Sequence, residues 1–110
     1  DVDTAFKLYV GPEYRQHNPS VAEGKAGAIQ SLTGFTHEIY PELRQEVART
    51  VAQGDLVAVH SRYLRNAADR SSGRGLAAVD LFRLEHGRIV EHWDVVQDVP
   101  ETSANDNSMF

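Results

Sequence analysis

Asp80, His92 and Asp94 are the residues of this 110-residue chain whose types and spacing best suit chemistry. They sit in the stretch GLAAVDLFRLEHGRIVEHWDVVQ, residues 75–97, where two alternating runs flank a turn at His86-Gly87. Side chains alternate faces along a strand, so Ala78, Asp80, Phe82 and Leu84 share one face of the first run. On the second run Val90, His92, Asp94 and Val96 share a face by the same rule. An imidazole beside a carboxylate is the usual acid–base pair. Ionisable groups on an apolar face are costly unless they are paired or used. Register decides whether the two sets meet. A three-residue loop, Glu85-His86-Gly87, with Gly87 left-handed, pairs Leu84 with Arg88. That pairing sets Asp80 across from His92 and Ala78 across from Asp94. A two-residue loop would shift the register by one and send the two sets to opposite faces.

The chain carries five histidines. His37, on the polar side of a helical stretch, and His86, in the turn, read as solvated. His60 shares a strand face with Leu56 and Ala58, a position more often filled by a hydrogen-bonded core histidine than by a catalyst. His17, in YRQHNP, is ambiguous alone. Taken together, His17, His60, Asp80, His92 and Asp94 could converge in one cavity. Two histidines and a carboxylate also make a plausible metal site. No dense His-x-x-x-His spacing supports a metal, so acid–base chemistry ranks above it and no metal is assigned. No serine lies in a nucleophile-elbow context and no glycine-rich phosphate loop is present.

The elements that must position these groups follow from periodicity. Residues 1–10 read as a short helix, with Asp3 able to cap it and Ala5, Phe6, Tyr9 and Val10 as its apolar stripe. Gly11-Pro12 is expected to end it, leaving residues 13–18 as a short polar-aromatic segment closed by Pro19. A second helix is expected over residues 25–40, from the spacing of Ala28, Ile29, Leu32, Phe35 and Ile39, with Pro41 as its stop. The period then changes to two. Residues 43–52 read as a strand with Val47 and Val51 on one face, and residues 56–66 as the next strand. AADRSSGR, residues 67–74, reads as a polar loop. The hairpin follows, and residues 98–110 form a tail rich in turn formers. Two helices followed by four antiparallel strands make an α+β chain in which a curved sheet wraps around helices.

Composition bounds the rest. A chain of this length is one domain, with hydrophobic residues at 41% and charged ones at 25%. The absence of cysteine excludes disulfides and thiolate chemistry, and fits a cytoplasmic protein. The formal charge is −5 and the basic residues are scattered, which disfavours nucleic acid as a partner. No apolar run reaches the length of a membrane span and no signal peptide opens the chain, so no membrane partner is expected.

YRQHNP with its glycine-containing loop, GDLVAVHSR, VDLFRLEHGRIVEHWDVVQ and the tail VPETSANDNSMF together resemble the SnoaL-like branch of the nuclear transport factor 2-like superfamily. The resemblance runs over essentially the whole chain, residues 1–110, as a single domain with residues 98–110 as its tail. It implies a cone, in which a strongly bent antiparallel sheet wraps around helices and encloses a ligand cavity. It also implies a small enzyme without a cofactor, of the kind that closes polyketide rings by intramolecular aldol condensation. Ketosteroid isomerase belongs to the same superfamily. The catalytic acid–base aspartate of the cyclases falls on Asp94. A polar residue lining the cyclase cavity falls on Asp80, where the cyclases carry a histidine. Family members usually begin with a long amphipathic helix ahead of the DVD segment. Here that helix either belongs to protein beyond this sequence or is missing, leaving the cone open on that side.

The expectation is a cofactor-independent enzyme acting on a small, mostly apolar carbonyl compound. Asp94 takes a proton alpha to the carbonyl, its pKa raised by desolvation in the cone. His92, His60 or a protonated Asp80 donates to the enolate oxygen. His60, His17, Phe82 and Tyr14 contact the substrate. A lyase or hydrolase using water on the same carboxylates, a non-catalytic binding pocket and a dimerisation module are the alternatives. A homodimer is expected because the reverse face of the hairpin, Val79, Leu81, Ile89, Trp93 and Val95, is too apolar for water. The tail, ending in Met109-Phe110, is expected to be ordered against a partner subunit or over the cavity.

Overall fold

The computed structural model describes residues 1–110. Its elements are α1 (Val2–Tyr9), β1 (Val10–Gln16), α2 (Gly24–Thr33) continued by a π-helical segment (Gly34–Ile39), β2 (Arg44–Gln53), β3 (Leu56–Leu64), α3 (Ala67–Ser72), β4 (Leu76–Glu85) and β5 (Arg88–Asp98). One five-stranded sheet runs in the order β1-β5-β4-β3-β2. The α+β cone expected from the sequence is therefore present, with a short first helix. The expected four antiparallel strands are joined by a fifth, β1, which pairs parallel to β5.

β1 occupies residues expected to be a turn and a short polar segment. α1 is capped by Asp1, whose carboxylate accepts from the Thr4 N–H at 2.8 Å, and the chain leaves Tyr9 directly into the strand. Pro12 lacks an N–H and would break an inner strand. β1 is at the sheet edge, and its pairing is irregular between Val10 and Arg15, so nothing is lost there. The second helix covers most of the expected span, but from Gly34 it widens to π geometry. The Tyr40 N–H donates to the Phe35 carbonyl at 2.9 Å before Pro41 ends the segment.

Residues 67–74, expected to be a loop, contain α3. Its signals are caps rather than periodicity. The Asn66 side chain accepts from the Asp69 N–H at 3.0 Å, and Gly73 closes the helix in the left-handed region at φ 71°. Six residues are too few to show an apolar stripe.

The hairpin reaches the expected face by a different route. The loop is two residues, His86 and Gly87, both at positive φ (50° and 75°), as the mirror-image turns of tight hairpins require. Glu85 pairs with Arg88 and Leu84 with Ile89, not with Arg88 as the three-residue loop would have it. Val90 is then an extra residue, a bulge, after which Arg83 pairs with Glu91, Phe82 with His92, Asp80 with Asp94 and Ala78 with Val96. The bulge restores the parity that a two-residue loop would have lost, so Asp80, His92 and Asp94 still share a face. Two details change. Asp80 opposes Asp94 rather than His92, and Ile89 rather than Val90 lies on the Leu84 face. Ile89 packs there with Phe6 and Val21 against the buried Val10, Tyr14 and Ala28, and so leaves the apolar reverse face where it was expected. A second bulge, at Ala48 of β2, pairs Val47 with Ser61 and Val51 with Ala58. It puts these two valines on opposite faces rather than one.

This cluster between α1, α2 and β1 is the core. Farther from the β1 edge both faces of the sheet keep exposed valines, Val47 and Val96 on the Asp80 side and Val79 and Val95 on the reverse. The tail docks on the chain itself. The Val99 N–H donates to the Gly75 carbonyl at 3.0 Å. The Phe110 ring stacks on His60 at 5.7 Å, with the Arg62 guanidinium 4.3 Å above it. That contact lies on the reverse face, so the tail does not close over the Asp80 side. No helix is long and apolar enough to cross a membrane.

Candidate functional site

β4 and β5 bring Asp80 and Asp94 directly opposite one another, with His92 diagonal to Asp80 and ring-to-ring with Phe82 at 5.0 Å. Two carboxylates facing each other repel unless other groups hold them apart or share their protons. Here each has its own partners. Asp80 Oδ1 lies 2.8 Å from His92 Nε2, and Asp80 Oδ2 accepts from the Tyr63 hydroxyl at 3.1 Å. Asp94 Oδ2 accepts from Asn18 Nδ2 at 2.8 Å, and no protein hydrogen bond reaches its other oxygen. Asp80 and His92 are buried, and Asp94 is half-buried.

β1 supplies the other side. Its parallel register sets Gln16 beside His92, and the His17 N–H donates to the His92 carbonyl at 3.0 Å. Gln16 Oε1 lies 2.8 Å from His92 Nδ1 and accepts from the Asn18 N–H at 2.9 Å. Gln16 Nε2 donates to the Tyr14 hydroxyl oxygen at 2.8 Å. One chain of hydrogen bonds thus runs Tyr14–Gln16–His92–Asp80–Tyr63. Burial pushes the Tyr14 phenol up to about 12, against the lowering effect of the Gln16 bond, with Asp94 and Asp80 adding to the rise. Burial, then the Asp80 charge, raises Tyr63 as well. Both phenols are therefore neutral donors at physiological pH.

Of the expected residues, the fold brings together Asp80, His92, Asp94, Phe82 and Tyr14. His17 and His60 it places on the reverse face. His60 pairs with Val79 across β3 and β4, one step out of phase with Asp80, and bonds Arg49. His17 stacks flat on Trp93 at 4.8 Å, and its Nε2 lies 2.7 Å from Glu91 Oε2. Glu91 and Trp93 alternate with His92 and Asp94, so both point away from them. Neither histidine shares the expected cavity. The side chains that sequence reasoning missed are Gln16, Asn18 and Tyr63. Tyr63 falls on the right alternation of its strand, two steps past Ser61. Gln16 and Asn18 stand in the quoted YRQHNP, but only the parallel pairing of β1 aims them.

Ligand-capable atoms of Asp80, His92 and Asp94 all lie within 4.8 Å of one another, a spacing that could hold a divalent cation. Such an ion would take the place of the hydrogen bond between His92 Nε2 and Asp80. The Gln16 bond would serve as the outer contact that orients the imidazole. Two solvent-open polar clefts flank the sheet, one of about 280 Å³ around Arg65 and Arg74 and one of about 440 Å³ around Arg15 and Arg83, which Tyr14 also lines. Neither contains the Asp-His-Asp group.

Comparison with known proteins agrees with this architecture. TsrD from Streptomyces laurentii superposes with a TM-score of 0.65 at 23% identity, over 84% of this chain and 74% of its own. IdmH from Streptomyces antibioticus, proposed to be a polyketide cyclase, gives 0.69 at 23% identity over 87% and 80%. A protein of Bacillus cereus, also proposed to be a polyketide cyclase, gives 0.70 at 18% identity over 86% and 62%. At these identities the likeness is one of fold. No curated protein matches the chain. The family model described as "SnoaL-like domain" matches residues 1–92, and this shows that the chain belongs to the SnoaL-like family.

Proposed function

We propose that the chain is a cofactor-independent acid–base enzyme acting on a small, apolar carbonyl compound, of the aldol-condensation (cyclase) or isomerase type. Membership of the SnoaL-like family supports a small-molecule-processing enzyme. The observation that carries the finer reading is the division of labour between the two carboxylates. Asp94 has one oxygen anchored by Asn18 and the other free of protein partners, as a base awaiting a substrate proton would. Asp80 is fully engaged with His92 and Tyr63, as the holder of a proton would be. Asp94 removes the hydrogen alpha to the carbonyl, and the C–H electron pair moves onto the carbonyl to form an enolate. The proton between His92 and Asp80 and the Tyr14 hydroxyl stabilise the enolate oxygen. The enolate carbon then attacks a second carbonyl, whose C=O π pair moves onto oxygen and takes the proton back from Asp94, or the enolate is reprotonated by Asp94 at a new position. Phe82 and Val96 supply the apolar surface beside the reacting atoms. We further propose that the protein works as a homodimer through the reverse face, where Val79 and Val95 stand exposed beside Leu81 and Trp93. A cytoplasmic setting fits a chain without cysteine.

The test is exchange of alpha-hydrogens for deuterium in a panel of cyclic and aromatic ketones, followed by NMR. Asp94→Asn keeps the shape but cannot accept a proton, so exchange should fall roughly 10²–10⁴-fold with the fold intact. Exchange surviving within about tenfold would remove Asp94 as the base. Binding of the ketones without any exchange would favour a non-catalytic pocket. Hydrolysis in place of exchange would favour water activated by the same carboxylates.

A further inference from the structure

His92 is flanked by oxygen on both sides, Gln16 Oε1 at Nδ1 and Asp80 Oδ1 at Nε2, each at 2.8 Å. A neutral imidazole carries one N–H and one bare nitrogen, so it donates on one side and accepts on the other, whereas an imidazolium donates on both. What distinguishes the two sides is whether the neighbour can bring a proton. Asp80 can, as a carboxylic acid. Gln16 could do so only if its amide were turned over, presenting NH₂ to the ring. The backbone forbids that turn. The Asn18 N–H points at the same Gln16 atom from 2.9 Å, and an NH₂ in that place would leave this backbone donor without an acceptor. In this orientation Gln16 Nε2 donates to the Tyr14 oxygen at 2.8 Å.

We propose that Gln16 is a positioning residue that fixes the proton of His92 on Nδ1 and leaves Nε2, the nitrogen shared with Asp80, as the working end of the ring. The assignment holds for either charge state. In an ion pair, Nε2 carries a proton and donates to the Asp80 carboxylate. In a neutral pair, Asp80 carries that proton and donates to Nε2. Either way one mobile proton lies between His92 and Asp80, within reach of Asp94, and none can leave through Nδ1. The same amide accepts nothing from Tyr14, so the Tyr14 O–H stays free for a ligand oxygen. This deepens the acid–base reading above and gives the site a direction, with the proton stored on the His92–Asp80 side and the vacancy on Asp94.

The experiment reads the ring nitrogens of the ¹⁵N-labelled full-length chain by NMR in mildly alkaline buffer. His92 is identified by the signals lost in His92→Asn. The parent should show a protonated Nδ1. Gln16→Glu keeps an oxygen that accepts from both Asn18 and His92, and should preserve that pattern. Gln16→Leu removes the acceptor, and the neutral ring should turn to the Nε2–H tautomer, donating to the Asp80 carboxylate. An unprotonated Nδ1 in the parent overturns the proposal, whether or not the leucine variant folds. So does a leucine variant that folds and keeps the parent's tautomer. None of these spectra depends on turnover, so failure of the Asp94→Asn test would leave this one standing, and the reverse.

Discussion

Replacing Tyr63 by phenylalanine removes one atom from the end of the hydrogen-bond chain and little else. The hydroxyl donates to Asp80 Oδ2 at 3.1 Å, and Asp80 is only 7% exposed, so water cannot readily replace it. In the ion-pair form, with Asp80 a carboxylate, a buried hydrogen bond to it contributes about 1.5–3 kcal/mol. The ring stays, so no cavity adds to the loss. With a urea m-value of about 1–3 kcal/mol/M, the unfolding midpoint should fall by roughly 1 M. In an Asp80→Asn background the acceptor is neutral and the bond contributes only about 0.5–1.5 kcal/mol, so the double-mutant cycle should show a coupling of about 1 kcal/mol. pH supplies an independent check. The folded Tyr63 phenol is raised above its ordinary value of 10.0, so the native state keeps a proton that the unfolded chain releases. The advantage is complete below pH 10.0 and falls as pH rises above it. Parent and Tyr63→Phe should therefore converge in strong alkali. A variant as stable as the parent within about 0.5 kcal/mol at neutral pH would mean that Asp80 is not held by Tyr63, and the account of the site would fail with it.

Two further outcomes follow from the reverse face. The bond from His17, then that from Arg83, lowers the Glu91 carboxyl below its ordinary 4.5, so the contribution of this cluster is present above that pH and is lost as pH falls through the lowered value. Urea melts on the acid side should show this loss in the parent and not in Glu91→Gln. Deleting residues 102–110, or Phe110→Ala alone, removes the ring held between His60 and Arg62 and should lower the melting temperature by about 5 °C or weaken the dimer in sedimentation. A truncated chain that melts and sediments like the parent would make the tail dispensable.

Alternation alone determined a good deal. It put Asp80 with Phe82 on one strand face and His92 with Asp94 on another, because side-chain direction in a strand depends on nothing beyond position. It also marked the hairpin and the change from helical to strand periodicity at residue 42. Whether the two strand faces meet is not local. The two-residue turn and the bulge at Val90 each reverse the parity, and only their combination, settled by Ile89 packing into the helix-lined core, brings the carboxylates together. The same limit misplaced His60 and His17. Each sits in a readable segment, but its face is decided by pairing partners, Val79 for His60 and the parallel β5 for the end of β1. A parallel edge strand has no hairpin to announce it. Gln16 and Asn18, seven tenths of the chain away from His92 and Asp94, therefore had no local signal tying them to those residues. Residue types determined what chemistry was available, and long-range strand pairing decided which of those residues could share a proton.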